Sequence, residues 1–554
     1  MKDSTVVRKY RLLDRDIALL AHKFNGSWNY EKNPFIPSEG NIRTMQAELD
    51  TLKHRADCIE AADPVFSLLR IHFRDFIDSL QTDFDKARGD PGMILRGFGE
   101  NFYRVICGDY RPDQIRSDIF IAVIGAFDGI WHEGILPMLN GSDADKLQRL
   151  LSGLNHAKEL AGYIKEKLRD FLKALPEERM GVLFTETERL LGKLHSVTED
   201  VRVKIEKAGV TPKTGKKADS ERLEHDRDDY RNSLKNNVGV NLDELLEWHE
   251  AEVEKTRGEA LGIANSLKLA EAPVKSVKSI SGILFKYAGP CESPEEMFRR
   301  AEIYLKRARA AAHEYVWLPE DEICECLRIP EHLKDSYPWG GYASDYNSRY
   351  PLYGTMFLNN HNYRAVTDGW IKINALHEAY PGHHVQFIRT AIDPLPETIK
   401  MGARHIPLTE GMCHRTERAF EFVFPEDPFY PLMVAQRRHH TAVRIKIDLM
   451  LFYFNKTIGE ACDLYEEELG FDRKTARAQV QAHENMKGYF TSYYYGMKKI
   501  CEWERLYGYD KREYTELLFS AGRVSLDTFE GILKLSKEDR HSYLHDFGSL
   551  IQFS

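Results

Sequence analysis

From Leu147 onward the apolar positions Leu150, Leu151, Leu154, Ala157, Leu160, Ala161, Ile164, Leu168 and Phe171 recur every three to four residues. The pattern holds for about seven turns and never alternates as a half-buried strand would. An apolar stripe of that length has to be buried as one face of a helix packed on other helices. A second amphipathic stretch runs from Leu242 to Leu267. Ser293-Pro294-Glu295-Glu296 is a helix start, with Ser as the cap, Pro at the first helical position and Glu three residues after the cap. Cys324 to Asn360 breaks the pattern: it is rich in Gly, Pro, Tyr, Asn and Ser, with β-prone pieces such as Leu352–Leu358. It predicts a small sheet or hairpin, after which helices resume at about Asp368. The expected fold is therefore mainly α, a large helical structure with a deep cleft and a small β element near the site.

At ~100–200 residues per domain, 554 residues make two to four domains or one large fold. The expected division is a helical region over 1–275 and a second over 276–554 that carries the site, the two also being readable as one continuous fold. Thr211–Ser220 (TPKTGKKADS) reads as a surface loop and a hinge or nicking site. Gly209 to Lys216 resembles a phosphate loop, but its glycine spacing is one residue too long and Lys217 replaces the required Ser or Thr.

A net charge of -9 leaves no general basic face for nucleic acid or an anionic membrane. The most apolar stretch, Ile119–Leu139, is broken by Asp128, His132, Glu133 and Pro137, and predicts a buried helix rather than a membrane span. Eight scattered cysteines without a C-x-x-C pair exclude a zinc ribbon and read as reduced thiols. With no secretory signal recognised at the N-terminus, the expected location is cytoplasmic. Nothing in the sequence fixes an oligomeric state.

Chemistry concentrates in Trp370–Arg389, WIKINALHEAYPGHHVQFIR. His377-Glu378 is followed by His383-His384, and Glu410 lies thirty-two residues after Glu378. Two imidazoles and a carboxylate suit a borderline cation such as Zn²⁺. Glu378 would face a metal-bound water, which is the arrangement of a metal hydrolase with three protein ligands and an open position. The spacing departs from H-E-x-x-H, because the residue four after His377 is Pro381. On an unbroken helix His383 would lie about 240° further round, and His384 on the same face but ~10 Å along. Pro381-Gly382 can interrupt the helix. A two-residue bulge would give His383 the ligand role and a sharper break would give it to His384; the smaller distortion favours His383.

HEAYPGHHVQ, Thr409-Glu410-Gly411 and Ser492–Gly496 (SYYYG) together resemble the DUF885 family, whose members carry H-E-x-x-P-G-H-H and a later E-G-W-A-x-Y-x-E segment. That family is similar to helical gluzincin-type metallopeptidases. The resemblance runs from about Tyr342 to the C-terminus. It implies His377, His383 or His384, and Glu410 as ligands of one Zn²⁺, Glu378 as general base, and Glu417 as support for a ligand histidine. It also implies Tyr493 as donor to the oxyanion, with Tyr494 and Tyr495 as neighbouring alternatives. Met412-Cys413-His414 departs from the family's Trp-Ala-x, which alters the wall of the site and leaves His414 without a role.

Other candidates follow from position. Arg444 and Asp448, four apart in an apolar stretch, would pair and order the site. The segment Tyr353–Asn360 would offer a strand edge to an extended peptide, with Asn359, Asn360 and His361 as substrate contacts. The expected function is zinc-dependent hydrolysis of short peptides, since a site buried among long helices excludes folded proteins. The alternatives are a metal-dependent amidase or deacylase of another amide, and a catalytically silent helical binding protein.

Overall fold

The computed structural model describes residues 4–25, 33–61, 63–107, 109, 111–139, 144–208, 217–223, 226–269, 272–329, 331, 334, 337, 339–343 and 352–548. The chain forms two compact units, one of Met1–Ala61, Phe76–Lys216 and Leu550–Ser554, the other of Ala62–Asp75 and Lys217–Ser549. Residues 217–275 thus group with the unit that carries the site, where the sequence reading drew its line at 275. The Gly209–Lys216 motif and most of the proposed hinge loop lie outside the described residues.

The first unit is built of helices. Its helix α1, Ala144–Phe171, buries Leu147, Leu150, Leu151, Leu154, Ala157, Leu160, Ala161, Ile164 and Leu168, which is the face the periodicity predicts. One helical run, Asp113–Met138, is long and apolar enough, by length and composition, to cross a membrane. Half of its apolar window is buried, with Ile119, Phe120, Val123, Phe127 and Ile130 in the core.

The second unit begins its long helices with α2, Leu242–Ser266, capped by Asn241, whose side chain accepts from the amides of Asp243 and Glu244. In α3, Pro294–Ala312, the Ser293 side chain accepts from the Glu296 amide as expected, while Glu296 itself turns to Arg300 and to the Glu292 amide. Three strands follow: β1 (Ile323–Arg328), β2 (Gly340–Ala343) and β3 (Tyr353–Leu358). β3 is central, parallel to β1 in the register Ile323↔Tyr353 to Arg328↔Leu358, and antiparallel to β2 from Gly340↔Leu358 to Ala343↔Thr355. This corrects one expectation. Thr355–Leu358 has strands on both sides, so its backbone groups are spent in the sheet and that stretch offers no edge to a peptide. All eight cysteines are free.

Helices then return with α4 (Asp368–Asn374), α5 (His383–Ile392), α6 (Ile406–Ala419), α7 (Tyr430–Phe452) and α8 (Ser492–Tyr507). Every one of them carries a largely buried face, and α7 is buried nearly all round.

Candidate metal centre

The histidine block does not form one bulged helix. Helix α4 opens on Thr367, whose hydroxyl accepts from the Trp370 amide. It widens into a π-turn over Ala375–Ala379, closed by the Tyr380 amide on the Ala375 carbonyl at 2.9 Å. The chain breaks across Tyr380, Pro381 and Gly382, joined by a cis Tyr380–Pro381 bond, and α5 restarts at His383. Gly382 lies against the end of the π-turn: a Cβ there would stand 2.0 Å from the His377 carbonyl oxygen and 2.4 Å from that of Leu376. Only glycine allows this approach, and it sets His383 back beside His377.

His377, His383 and Glu410 place ligand atoms within 4.8 Å of one another, all three residues buried. Glu410 Oε2 lies 3.5 Å from His377 Nε2 and 3.4 Å from His383 Nε2. That oxygen is buried and has no hydrogen bond, an arrangement natural proteins rarely leave without a purpose. The other oxygen, Oε1, accepts from the Tyr489 hydroxyl. His377 Nδ1 is 2.8 Å from Glu417 Oε1, which fixes the proton on Nδ1 and turns Nε2 toward Glu410. His383 Nδ1 lies 3.5 Å from Cys413 Sγ, and Gln386, beside it, donates to the Thr409 hydroxyl at 2.8 Å.

The charge balance suits a cation. Burial alone would depress the His377 imidazole, yet the carboxylates of Glu410 and Glu417 carry it up to about 10. His383 is likewise raised against its burial, chiefly by Cys413 and Glu410. Glu410 is held well below the carboxylate range despite burial, because His383 and His377 face it. Protons on the two imidazoles do what a divalent ion would do in their place. The residues present fit such an ion.

His384 points elsewhere, so the choice left open between the two histidines falls to His383. His384 Nε2 lies 2.5 Å from Glu322 Oε2, and its Nδ1 is 2.9 Å from the Tyr342 hydroxyl of β2. Arg309 and Tyr380 donate to the same Glu322. Glu378 follows His377 on the π-turn, is half-buried, and has no hydrogen-bond or ion-pair partner among the described residues. The Tyr493 ring lies parallel to His377, centroids 6.1 Å apart, and its hydroxyl reaches that of Tyr489 at 3.4 Å.

Several expected roles change. Tyr494 and Tyr495 donate to Glu252 and Glu244, away from the cluster. Arg444 and Asp448 are buried but do not pair. Arg444 donates to Gln479 at 2.9 Å, while Asp448 takes the Tyr230 hydroxyl and His483. Asn359 is spent on the turn: its carbonyl accepts from the amides of His361 and Asn362, and its amide donates to the Lys334 and Tyr337 carbonyls. His361 is exposed and pairs with Glu331 at 3.0 Å, and Asn360 stands beside it in the same turn. None of the three is grouped with His377, His383 and Glu410. His414, without a role in the sequence, bridges Glu417 Oε2 and the Thr441 hydroxyl. Sequence reasoning missed Tyr489; its position four before Tyr493, one helical turn away, was the available signal.

The glycines of the two supporting motifs bring these pieces together. A Cβ on Gly411 would stand 2.5 Å from the Gly496 carbonyl carbon, and one on Gly496 would stand 1.8 Å from the Pro407 oxygen. Helices α6 and α8 touch backbone to backbone there, which seats Glu410 beside Tyr489 and Tyr493.

Comparisons with known proteins agree with this architecture. The chain superposes on a Colwellia psychrerythraea protein described as a candidate lipoprotein with a TM-score of 0.73 and 16% identity, covering 98% of this chain and 99% of that one. It superposes on a candidate lipoprotein of unknown function from Shewanella oneidensis with a TM-score of 0.70 and 14% identity, covering 95% and 98%. At that identity the likeness is one of fold. No curated protein matches the sequence. Residues 138–532 match the family described as bacterial proteins of unknown function, DUF885. That span takes in most of the chain and every residue of the cluster, and the protein belongs to the DUF885 family.

Proposed function

We propose that this protein is a metal-dependent hydrolase that cleaves amide bonds in short peptides, with His377, His383 and Glu410 holding one zinc ion. The observation that carries this reading is Glu410 Oε2, buried without a hydrogen bond and 3.4–3.5 Å from two imidazole Nε2 atoms. Two nitrogens and one carboxylate are a donor set that leaves a position open for water. When bound, zinc supplies a Lewis acid and lowers the pKa of water at that position.

The chain's own residues supply the rest. Glu417 keeps the His377 proton on Nδ1. Tyr489 holds Glu410 through Oε1 and leaves Oε2 free for the ion. Glu378, half-buried and without a partner, accepts the proton of the attacking water and returns it to the leaving amine. The Tyr493 hydroxyl, which burial keeps protonated at neutral pH, donates to the developing oxyanion.

The Glu378→Gln variant should keep its metal, measured by elemental analysis, and lose at least ~10²-fold in peptide hydrolysis. Undiminished turnover would sink the assignment. We place the reaction in the cytoplasm on the strength of eight unpaired cysteines. The two solved neighbours are described as candidate lipoproteins, so fractionation of the native protein is the deciding measurement; recovery in the membrane fraction would overturn that location.

A further inference from the structure

Beside the metal cluster lies a buried guanidinium with unused donors. Arg437, on α7, has a side chain only 8% exposed. Among the described residues its guanidinium makes no hydrogen bond, and its Nε is buried without one. The carboxylate within ion-pair range, Glu417 Oε1, stands 3.7 Å from Nε, beyond hydrogen-bond reach, and Glu417 is already shared by His377 and His414. A guanidinium carries five N–H donors, and burying them unmet is costly.

Apart from Glu417, the side chains against the guanidinium are aromatic. Arg437 lies 5.3 Å from the Trp370 ring and 5.4 Å from the Tyr493 ring. Both rings are half-buried, so the patch keeps some access to solvent. The far side of the connection is the site itself, since Tyr493 lies parallel to His377. Two turns along α7, Arg444 adds a second buried guanidinium, over Phe490 at 4.6 Å and Tyr493 at 5.8 Å, and its Nε too has no partner. Its Nη2 is used by Gln479. Two fixed positive charges on one aromatic ring, next to a ligand histidine, make a receptor for an anion. Arginine's planar fork matches a carboxylate in particular.

We propose that Arg437, backed by the charge of Arg444, is a carboxylate subsite that holds an acidic group of the substrate while the scissile amide lies at His377, His383 and Glu410. The catalytic half of this statement rests on the hydrolase reading; the binding half does not. The carboxylate can be the peptide's C-terminus or an acidic side chain, and the substrates tested separate the two.

Three tetrapeptides are compared: one with a free C-terminus, its C-terminal amide, and an amide carrying a glutamate side chain. The wild type should favour a carboxylate-bearing peptide over the plain amide by roughly 10- to 100-fold in kcat/KM, the ordinary range for one charge-assisted contact. Whichever acidic peptide is preferred names the source. Arg437→Gln should bring the ratio close to one, and Arg437→Lys, which keeps the charge, should retain part of it.

Calorimetry with N-acetyl-phenylalanine and its amide, on protein as purified and after chelation, reads binding without turnover. The acid should bind the wild type, and Arg437→Gln should lose that binding. Equal rates on all three peptides, or acid binding unchanged in Arg437→Gln, overturns the subsite and leaves the hydrolase standing. A uniform fall on all three peptides with weakened metal would mean that Arg437 only steadies Glu417, and overturns the subsite as well. Acid binding that depends on Arg437, with no chelator-sensitive hydrolysis of any peptide, upholds the subsite and overturns the hydrolase.

Discussion

Glu417 is fully buried, and its two oxygens are divided between His377 Nδ1 and His414 Nδ1, each at 2.8 Å. Facing imidazoles and the Arg437 charge hold it ionised in spite of its burial. Its effect is felt at His377, because an imidazole whose Nδ1–H is engaged keeps its Nε2 lone pair turned toward Glu410, where the proposed ion would be held. Glu417→Gln keeps the shape and one acceptor but removes the charge. We expect metal affinity to fall about 10- to 100-fold, read by competition with a chelator of known affinity; unchanged affinity would remove Glu417 from the support of the site. The grouping of His377, His383 and Glu410 was legible from residue types that suit a cation, and Glu417 as a partner of a histidine was implied by the family resemblance. His414 was not, because its role exists only through Glu417 and Thr441, and Thr441 lies on another helix.

At the scale of elements, the short motifs turn out to be as much about backbone as about side chains. Thr409-Glu410-Gly411 and Ser492–Gly496 read as carriers of Glu410 and Tyr493, yet their glycines are what let α6 and α8 touch. Gly496→Ala would set a Cβ 1.8 Å from the Pro407 carbonyl oxygen, which is backbone and cannot swing away. The helices must part, at a cost of roughly 1–3 kcal/mol or more for overpacking. Because Glu410 is on one helix and Tyr489, on the turn that leads into the other, donates to it, metal affinity should drop along with stability. A surface-helix control, Gly258→Ala, meets nothing within 4 Å and should do neither; thermal melts and metal titration on both variants check this. Helix positions were readable because period and caps are local. The break at Tyr380–Gly382 was readable and favoured His383, but as a bulge within one helix; that one helix ends and another restarts depends on the Gly382 contact with the π-turn. The central place of β3 was hidden for a similar reason: its partners β1 and β2 both precede it in the chain, so nothing in its own residues marks it as interior.

Across the molecule, the buried histidines shift in both directions, and a facing carboxylate alone does not decide which: His384, His414 and His483 each lie against one and are still lowered. His377 and His383 look at a carboxylate and are raised. His72, His405, His414 and His440 are depressed, burial being the first cause in each, and at His405 the neighbouring Arg523 and His72 add to it. Folding therefore carries several imidazoles into places where they must stay neutral. For His72, lowered to about 4 from 6.5, the unfolded chain binds the proton more readily than the folded one. Its contribution is fully present above pH 6.5 and is lost as pH falls toward 4. A difference of that size is worth up to about 3 kcal/mol for one group. His72→Gln, which cannot titrate, should lose less stability than the wild type between pH 7 and 4.5, whatever it costs at pH 7. Denaturant unfolding at several pH values reads the difference between the two slopes. Parallel slopes would mean that His72 keeps an ordinary pKa in the folded protein, and that acid sensitivity has to be sought at the other buried imidazoles.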